Sequence, residues 1–266
     1  MKGRVLIVAG SDSGGGAGIQ ADIKSVTMLG AFAATAITAL TAQNTLGVFG
    51  VLPIDPTFIR QQIEVVLDDI GADAVKTGML HDAAVIEMVA DVLAYRAPEV
   101  PLVVDPVMVA KGGAPLIEPS AIDALKALLI SRATVLTPNL PEAEILAGRS
   151  VDTVAAMHEA ASRLLQLGCR AVLLKGGHLA GDTVHDVLAS AAGLRVWESS
   201  RIDTRHTHGT GCTLASAIAA GLAQGLDIEE AVDRGREYVR RAIASAPGIG
   251  RGHGPLDHAH PLIGTA

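Results

Sequence analysis

The feature that most constrains the fold is a repeated alternation of short apolar runs with helix patterns along the 266 residues. The runs Leu102–Val104 and Ala171–Leu174 are apolar at every position, which is typical of parallel strands buried on both faces. Helix patterns between such runs supply the crossovers that a parallel sheet needs. The sequence therefore predicts an α/β protein in three layers, with a mainly parallel central sheet and helices on both faces.

The predicted elements follow from this alternation and from the glycine and proline residues at their ends. Strands are predicted at residues 4–9, 32–40, 48–52, 74–77, 102–104, 134–137, 171–174, 183–189 and 194–200. Helices are predicted at residues 17–29, 56–70, 82–94, 120–129, 141–147, 154–167, 211–224 and 228–245. No long linker divides the chain, so residues 1–266 are predicted to form a single domain. In such sheets ligands bind beyond the carboxyl ends of the strands, which makes polar residues there the candidates for chemistry.

Composition and charge exclude several classes of protein. Apolar residues make up 49% of the chain, aromatic residues make up 2%, and the formal net charge is −7. The apolar content excludes a disordered chain, and an acidic balance without a basic stripe argues against nucleic-acid binding. Two cysteines and the lack of a leader-like start predict a cytoplasmic location. The longest run of small apolar residues, 31–42, contains three threonines and is too short to span a membrane.

A glycine-rich turn follows the first predicted strand. Five of the nine residues 10–18 are glycine, and the segment matches neither a P-loop nor the strict dinucleotide-binding pattern. Such a turn lets a ligand approach the backbone closely, whereas the alternative is a tight turn without a ligand. We favour a ligand-binding loop that begins at Gly10.

A second glycine-containing segment, residues 207–213, precedes an alanine-rich helix pattern. Gly209 and Gly211 allow backbone N–H groups to converge, and the helix N-terminus adds positive potential, so the segment predicts an anion hole. Cys212 falls in the first turn of that helix, where the same field is expected to favour the thiolate. The alternative is a flexible entry into a core helix with a small buried cysteine.

Acidic residues follow two predicted strands. Asp105 comes directly after residues 102–104, and Glu142 lies in Asn139-Leu-Pro-Glu142 after the next strand. Two carboxylates beside an anion hole fit a hydrated Mg²⁺ near phosphates. Asn139 and Glu142 also have the spacing of a helix capping box, so a purely structural role for Glu142 stays open.

Two further strand ends carry polar residues. Lys175 is a mobile positive charge suited to phosphate, although a lysine at a strand end is often only solvated. Gln43 has an amide that could read the edge of a heterocycle through two hydrogen bonds, a weak indication by itself. His206 and His208 could help to bind phosphate or could serve a capping role.

Taken together, these segments resemble one family over nearly the whole chain. The matching segments are AGSDSGGGAGIQADIK (9–24), TALTAQNT (38–45), VKTGML (75–80), VVDPVM (103–108), TPNLPEAE (137–144), LKGGH (174–178), THGTGCTLASAIAA (207–220) and GRGHGPLDH (250–258). They are similar to the hydroxymethylpyrimidine/phosphomethylpyrimidine kinases of thiamine biosynthesis, within the ribokinase-like superfamily.

The resemblance implies a role for each of a set of residues. It places five residues around a pyrimidine: Gly10, Asp22, Gln43, Met79 and Val107. It assigns Asp105 and Glu142 to Mg²⁺, and Lys175 and Thr207 to ATP. It implies that Gly209 and Gly211 form the anion hole and that Cys212 takes the position of the base in related sugar kinases. Arg236 stands where such proteins often have a lysine on the nucleotide side.

The resemblance also implies the reaction. It indicates an ATP- and Mg²⁺-dependent kinase that phosphorylates 4-amino-5-hydroxymethyl-2-methylpyrimidine and then its monophosphate, in a homodimer. A pyridoxal or pyridoxine kinase of the same superfamily is the nearest alternative. A cysteine hydrolase that uses Cys212, and a binder of vitamin precursors without catalysis, are alternatives from other classes.

Overall fold

The computed structural model of the protein describes residues 1–108, 117, 118 and 120–262. Its strands all belong to one sheet, with the spatial order β3-β2-β1-β4-β5-β6-β7-β8-β9. The strands are β1 (Arg4–Asp12), β2 (Phe32–Asn44), β3 (Gly47–Pro53), β4 (Ala74–Thr77), β5 (Leu102–Val104), β6 (Val135–Leu136), β7 (Ala171–Lys175), β8 (Thr183–Ser190) and β9 (Gly193–Ser200). This one sheet agrees with the single-domain prediction, which stays a prediction.

The helices of the described residues connect these strands in the predicted order. They are α1 (Gly18–Met28), α2 (Pro56–Asp69), α3 (Ala83–Arg96), α4 (Ala121–Ala124), α5 (Leu140–Ala147), α6 (Val154–Leu165), α7 (Thr210–Ala223) and α8 (Ile228–Ala244). The α4 helix continues as a π-helical turn, Leu125–Leu129, and a 3-10 turn, Ile130–Arg132. Within the described part of the chain, no helix is long and apolar enough to cross a membrane.

The sheet is mainly parallel, as predicted. Six neighbouring strands run parallel: β2, β1, β4, β5, β6 and β7. At the edges, β3 pairs antiparallel with β2, β8 pairs antiparallel with β7, and β9 pairs antiparallel with β8. In β1, Leu6 and Val8 pack on the face that carries α2 to α6, and Val5 and Ile7 pack on the face that carries α1, α7 and α8. Strands buried on both faces therefore separate two helical layers, which confirms the three-layer prediction.

This topology brings the ends of five strands to one edge of the sheet. The chain passes from β1 to β2 on one side and to β4 on the other, so the strand order reverses beside β1. A crevice forms outside the carboxyl ends of parallel strands at such a reversal. The residues that follow β1, β4, β5, β6 and β7 lie along it.

Local signals explain most helix boundaries. The predicted capping box at α5 is present: Asn139 Oδ1 accepts from the Glu142 amide at 2.9 Å, and Glu142 Oε2 accepts from the Asn139 amide at 2.8 Å. The N-terminus of α6 is capped by Thr153, whose hydroxyl accepts from the Ala156 amide at 3.1 Å. Thr153, and not the neighbouring Asp152, is therefore the N-cap residue of α6.

Candidate active site

A cavity of about 440 Å³ occupies the carboxyl edge of the sheet. It lies between the turn after β1, the ends of β4 to β7 and the start of α7. Eleven of the thirteen predicted site residues line it: Gly10, Gln43, Met79, Val107, Asp105, Glu142, Lys175, Thr207, Gly209, Gly211 and Cys212. Asp22 and Arg236 do not line it.

The carboxylate of Asp12 holds the glycine-rich turn in shape. Its Oδ1 accepts from the Gly14 amide at 2.8 Å, and its Oδ2 accepts from the amides of Gly16 and Ala17 at 3.1 and 2.8 Å. His208 Nε2 lies 2.8 Å from the same Oδ2. Burial alone would raise the pKa of Asp12, but the bonds from His208 and from the backbone amides hold it below its ordinary value. Asp12 is therefore a fixed negative charge built into the cavity wall.

Glycine is required where this turn meets its neighbours. A Cβ atom at Gly10 would lie 2.6 Å from the Met79 methyl group, so Met79 covers the Gly10 backbone directly. Gly209 has a φ of +82° and would place a Cβ against the Gly16 carbonyl oxygen. The two glycine-rich segments predicted from sequence therefore pack against each other and form one wall.

The start of α7 faces the polar strand ends. A Cβ at Gly211 would lie 3.2 Å from Lys175 Nζ and 3.6 Å from Asp105 Oδ2. Lys175 Nζ donates to Asp105 Oδ1 at 3.1 Å, and the Thr137 hydroxyl lies 3.1 Å from the same oxygen. Burial would lower the pKa of Lys175, but Asp105 and Glu142 outweigh it and raise the pKa. A lysine ammonium, two carboxylates and a helix N-terminus thus converge on one side of the cavity.

Glu142 has a structural role and also a place in the cavity. It caps α5 and also lines the cavity, where it is 5% exposed. Burial raises the pKa of Glu142 to about 7, the negative charge of Asp105 adds to that effect, and Lys175 opposes it. Its carboxylate therefore gains a proton near neutral pH.

The two carboxylates fit the ion that the resemblance implies. Mg²⁺ in kinases is held by one or two carboxylates together with phosphate oxygens and water. Asp105 and Glu142 supply oxygen ligands of this kind beside Lys175. Across residues 1–108, 117, 118 and 120–262, no group of three or more histidine, cysteine or acidic residues is arranged to hold a metal by protein ligands alone.

The prediction that Cys212 is favoured as thiolate is wrong. Burial raises the pKa of the Cys212 thiol to about 12, while Lys76 opposes this and Asp22 adds to it. Loss of solvation outweighs the field of the helix N-terminus, although Cys212 lies in the first turn of α7. Cys212 is a neutral thiol that lines the cavity.

Gln43 reaches the cavity from the end of β2. Its backbone amide donates to Ser13 Oγ at 2.9 Å, and Ser13 Oγ donates back to the Gln43 carbonyl at 2.9 Å. Its side-chain amide lies between Thr41 Oγ1, at 3.1 Å, and His208 Nε2, at 3.4 Å. These contacts fix Gln43 beside the glycine-rich turn.

Asp22 lies behind the cavity wall. Its side chain is fully buried and pairs with Lys76, whose Nζ lies 2.9 and 3.0 Å from the two carboxylate oxygens. The Ser216 hydroxyl, one turn below Cys212 on α7, donates to Asp22 Oδ1 at 2.7 Å. Burial would lower the pKa of Lys76, but the Asp22 carboxylate outweighs it and raises the pKa, so this is an ion pair beneath the site.

Arg236 also lies outside the cavity lining. Its Nε donates to Asp186 Oδ2 at 2.8 Å, and its guanidinium carbon is 5.1 Å from the centre of the Trp197 ring. Asp186 Oδ1 in turn accepts from the Gly176 amide at 3.1 Å, directly after Lys175. Arg236 is therefore connected to the site through Asp186 and the backbone.

Sequence reasoning missed two residues that build the site. Asp12 was read only as part of a glycine-rich turn, although an aspartate followed by glycines is a known signal for bonds from side chain to backbone. Lys76 stands in a run that reads as a buried strand, and a lysine there needs a buried partner. The sequence gives no direct sign that this partner is Asp22, 54 residues away.

Solved structures define the class of protein first. Pyridoxal kinase from Bacillus subtilis, in an ADP complex, is 39% identical, with a TM-score of 0.90 and coverage of 97% of this chain and 98% of that one. Phosphomethylpyrimidine kinase from Clostridium difficile 630 is 42% identical, with a TM-score of 0.81 and coverage of 91% and 100%. Pyridoxal kinase from Staphylococcus aureus, in complex with AMP-PCP and pyridoxal, is 33% identical, with a TM-score of 0.89 and coverage of 97% and 94%. The chain has the ribokinase-like fold of these kinases.

Sequence relatives then define the family. The family model described as phosphomethylpyrimidine kinase matches residues 12–257. The hydroxymethylpyrimidine/phosphomethylpyrimidine kinase of Streptomyces coelicolor is 48% identical over 97% of this chain and 95% of its own length. The thiamine biosynthesis bifunctional protein ThiED of Geobacter sulfurreducens is 53% identical over 97% of this chain, which spans about half (52%) of that protein. The chain belongs to the phosphomethylpyrimidine kinase family, which confirms the resemblance.

Proposed function

We propose that the protein transfers the γ-phosphoryl group of ATP to 4-amino-5-hydroxymethyl-2-methylpyrimidine and then to its monophosphate, in thiamine biosynthesis. One observation carries this proposal: Lys175 Nζ bonds Asp105 Oδ1 at 3.1 Å, and both side chains lie within 3.6 Å of the point where a Cβ at Gly211, at the start of α7, would stand. Phosphoryl transfer depends on such positioning and charge stabilisation rather than on covalent chemistry by the protein. The names of the family's relatives supply the substrate.

In this proposal, the residues on the phosphate side of the cavity have separate roles in binding ATP and in stabilising charge. Lys175 and Thr207 bind ATP phosphates, and the backbone amides at Gly209 and Gly211 stabilise the charge on the transferring group. Asp105 and Glu142 hold Mg²⁺, which neutralises phosphate charge when it is bound.

The opposite side binds the pyrimidine. Gly10, Met79 and Val107 line the cavity with backbone and apolar atoms that contact the ring, and Gln43 reads its polar edge. Asp22 and Arg236 act from behind the wall, through Lys76 and Asp186 respectively. Both are positioning residues in this proposal.

Cys212 orients the alcohol. Because burial raises the pKa of its thiol to about 12, the neutral form accepts a hydrogen bond from the substrate hydroxyl without taking its proton in the ground state. The monophosphate needs no such help, because its phosphate is mostly dianionic near pH 7. The raised pKa also argues against a cysteine hydrolase, which needs a thiolate nucleophile.

A pyridoxal kinase is the second candidate. It is favoured by the high structural similarity to two pyridoxal kinases, one of them with pyridoxal bound. The two candidates differ at the ring edge, where the aminopyrimidine presents an amino group beside a ring nitrogen.

Phosphorus NMR of the products decides between them. The protein is incubated with ATP, Mg²⁺ and either the aminopyrimidine alcohol or pyridoxal, at equal concentrations. We expect a monophosphate and then a diphosphate resonance from the pyrimidine. A monophosphate from pyridoxal alone would support the second candidate, and unchanged ATP in both samples would support a binder without catalysis.

Two further proposals concern the molecule as a whole. Apolar side chains are exposed along β2, β3 and the start of α2, and they fit a homodimer interface: Leu40, Leu46, Phe49, Leu52 and Phe58. Sedimentation velocity of the wild type and of Phe49→Ser tests this dimer. The free thiols of Cys169 and Cys212 fit a reducing cytoplasm.

A further inference from the structure

The hydrogen atoms around Asp12 can be counted. Its four contacts, with three backbone amides and His208, occupy the acceptor positions of a carboxylate. A carboxylate has no hydrogen to donate, so the 2.8 Å contact with His208 requires a hydrogen on Nε2. This holds for the neutral imidazole and for the imidazolium alike.

The Thr41 hydroxyl also determines which atom of the Gln43 amide can face it. Thr41 Oγ1 lies 2.9 Å from the Ser11 carbonyl oxygen, which can only accept. The single hydroxyl hydrogen is therefore directed at Ser11. The remaining contact of Thr41 Oγ1, at 3.1 Å from the Gln43 amide, requires a donor on the Gln43 side.

The hydrogen on His208 Nε2 and the remaining acceptor position of Thr41 Oγ1 together favour one orientation of the Gln43 amide. With Oε1 facing Thr41 and Nε2 facing His208, acceptor would meet acceptor and donor would meet donor. A half-turn of the amide removes both conflicts. Gln43 Nε2 then donates to Thr41 Oγ1, and Oε1 faces the single Nε2 hydrogen of His208, which is shared as a bifurcated bond between Asp12 Oδ2 at 2.8 Å and the Gln43 amide at 3.4 Å. One amide hydrogen and one oxygen lone pair then remain for a ligand.

We propose that His208, held by Asp12, is a specificity-determining residue that fixes the Gln43 amide in this orientation. The inference rests on the proposed function, since it concerns the edge of the ring that Gln43 reads. A fixed amide offers its donor and its acceptor in one order only. It fits a heterocycle with an acceptor ring nitrogen beside an amino group and rejects one with the order reversed.

The test uses a pair of pyrimidines that differ in this order. Replacement of the 4-amino group by a 4-oxo group gives a ring N–H donor beside an oxygen acceptor. Calorimetry without ATP measures the Kd of each compound for the wild type and for His208→Met, which removes the donor. We expect His208→Met to reduce the preference for the amino compound by about tenfold to a hundredfold.

Two further variants keep the test decisive. His208→Gln retains an N–H donor near the position of Nε2 and is expected to keep most of the preference. Lys24→Met is the matched control, because Lys24 Nζ bonds the Gly15 carbonyl of the same turn at 2.8 Å and does not contact Gln43. It is expected to leave the preference unchanged.

A measurement without substrate stands beside the binding data. Nitrogen-15 NMR of the histidine rings reports which nitrogen of His208 carries hydrogen, and we expect a protonated Nε2 at pH 7. An unprotonated Nε2, or equal affinity of the wild type for both pyrimidines, overturns the inference and leaves the proposed function standing. Binding of neither pyrimidine by the wild type overturns the proposed function and this inference with it.

Discussion

Two carboxylates that line the cavity, Asp12 and Glu142, differ in charge although both are buried. Asp12 is 3% exposed and Glu142 is 5% exposed. Asp12 keeps its pKa below the ordinary value, whereas the pKa of Glu142 rises to about 7. Exposure at the surface is therefore not what separates them.

The difference lies in the groups that surround each carboxylate. Asp12 accepts from three backbone amides and a histidine, and together these outweigh its loss of solvation. Glu142 accepts from the amides of Asn139 and Met108 and faces the negative charge of Asp105. Asp12 thus carries a permanent negative charge that shapes the glycine-rich turn. Glu142 instead carries a negative charge that a proton or a bound cation can neutralise.

Cys212 belongs with Glu142 in this comparison, because burial raises both pKa values. We expect Cys212→Ala to slow phosphorylation of the alcohol by roughly 10²-fold or more, the range for loss of a group that handles the reacting proton. Phosphorylation of the monophosphate should slow much less. Rates of both steps over pH 6–9 check this, and equal losses would show that Cys212 only shapes the start of α7.

Removing the charge of Asp12 should destabilise the glycine-rich turn that its carboxylate holds. Asp12→Asn places an amide donor among backbone N–H donors, so we expect the free energy of unfolding at pH 7 to fall by about 3 kcal/mol. Because the pKa of Asp12 is lowered by folding, its contribution is present above about pH 4 and is lost as pH falls through the folded pKa. Urea unfolding of both proteins at pH 7 and pH 3 measures the difference. A difference that did not shrink at pH 3 would contradict a role for the charge.

Glu142 should show the opposite dependence on pH. Its folded pKa is raised, so its contribution to stability is present below about pH 4.5 and is lost as pH rises through about 7. Relative to Glu142→Gln, which can still cap α5, the wild type should lose up to about 3 kcal/mol between pH 5 and pH 8.

Mg²⁺ with ATP sharpens this test. A bound cation stabilises the ionised carboxylate, so the loss of wild-type stability at pH 8 should shrink when both are added. Glu142→Gln should also need more Mg²⁺ for half-maximal rate. A variant with normal Mg²⁺ dependence and lower stability at every pH would leave Glu142 with its capping role alone.

The fold and most of the cavity lining could be predicted because their signals are local. Strands buried on both faces read as unbroken apolar runs, as in Leu102–Val104 and Ala171–Leu174. Their carboxyl ends meet at one edge whatever the details of packing, so Asp105 and Lys175 could be predicted to lie at the same edge of the sheet. The Asn139–Glu142 capping box is local for the same reason.

The features that could not be predicted from the sequence depend on contacts between residues that are far apart along the chain. Nothing near Asp22 in the sequence shows that Lys76 neutralises it, and nothing near Cys212 shows how far burial removes water from the thiol. The position of Arg236 depends on Asp186, 50 residues earlier. These are balances of desolvation and charge that only the packed chain defines.

The smallest effect is expected at Arg236. Its substitution tests whether a residue whose position depends on a distant partner was assigned correctly from the sequence. Arg236→Gln removes the bond to Asp186 but no group that lines the cavity, so KM for ATP should change less than about threefold. Stability should fall by about 1 kcal/mol or less, as for a partly exposed ion pair.

Arg195→Gln is the matched control, because Arg195 also covers the Trp197 ring, at 4.5 Å, and lies on the surface. Steady-state kinetics with ATP varied at saturating pyrimidine check the pair. A rise of tenfold or more in KM for ATP in Arg236→Gln alone would show that Arg236 leaves Asp186 to contact the nucleotide, as the resemblance implied.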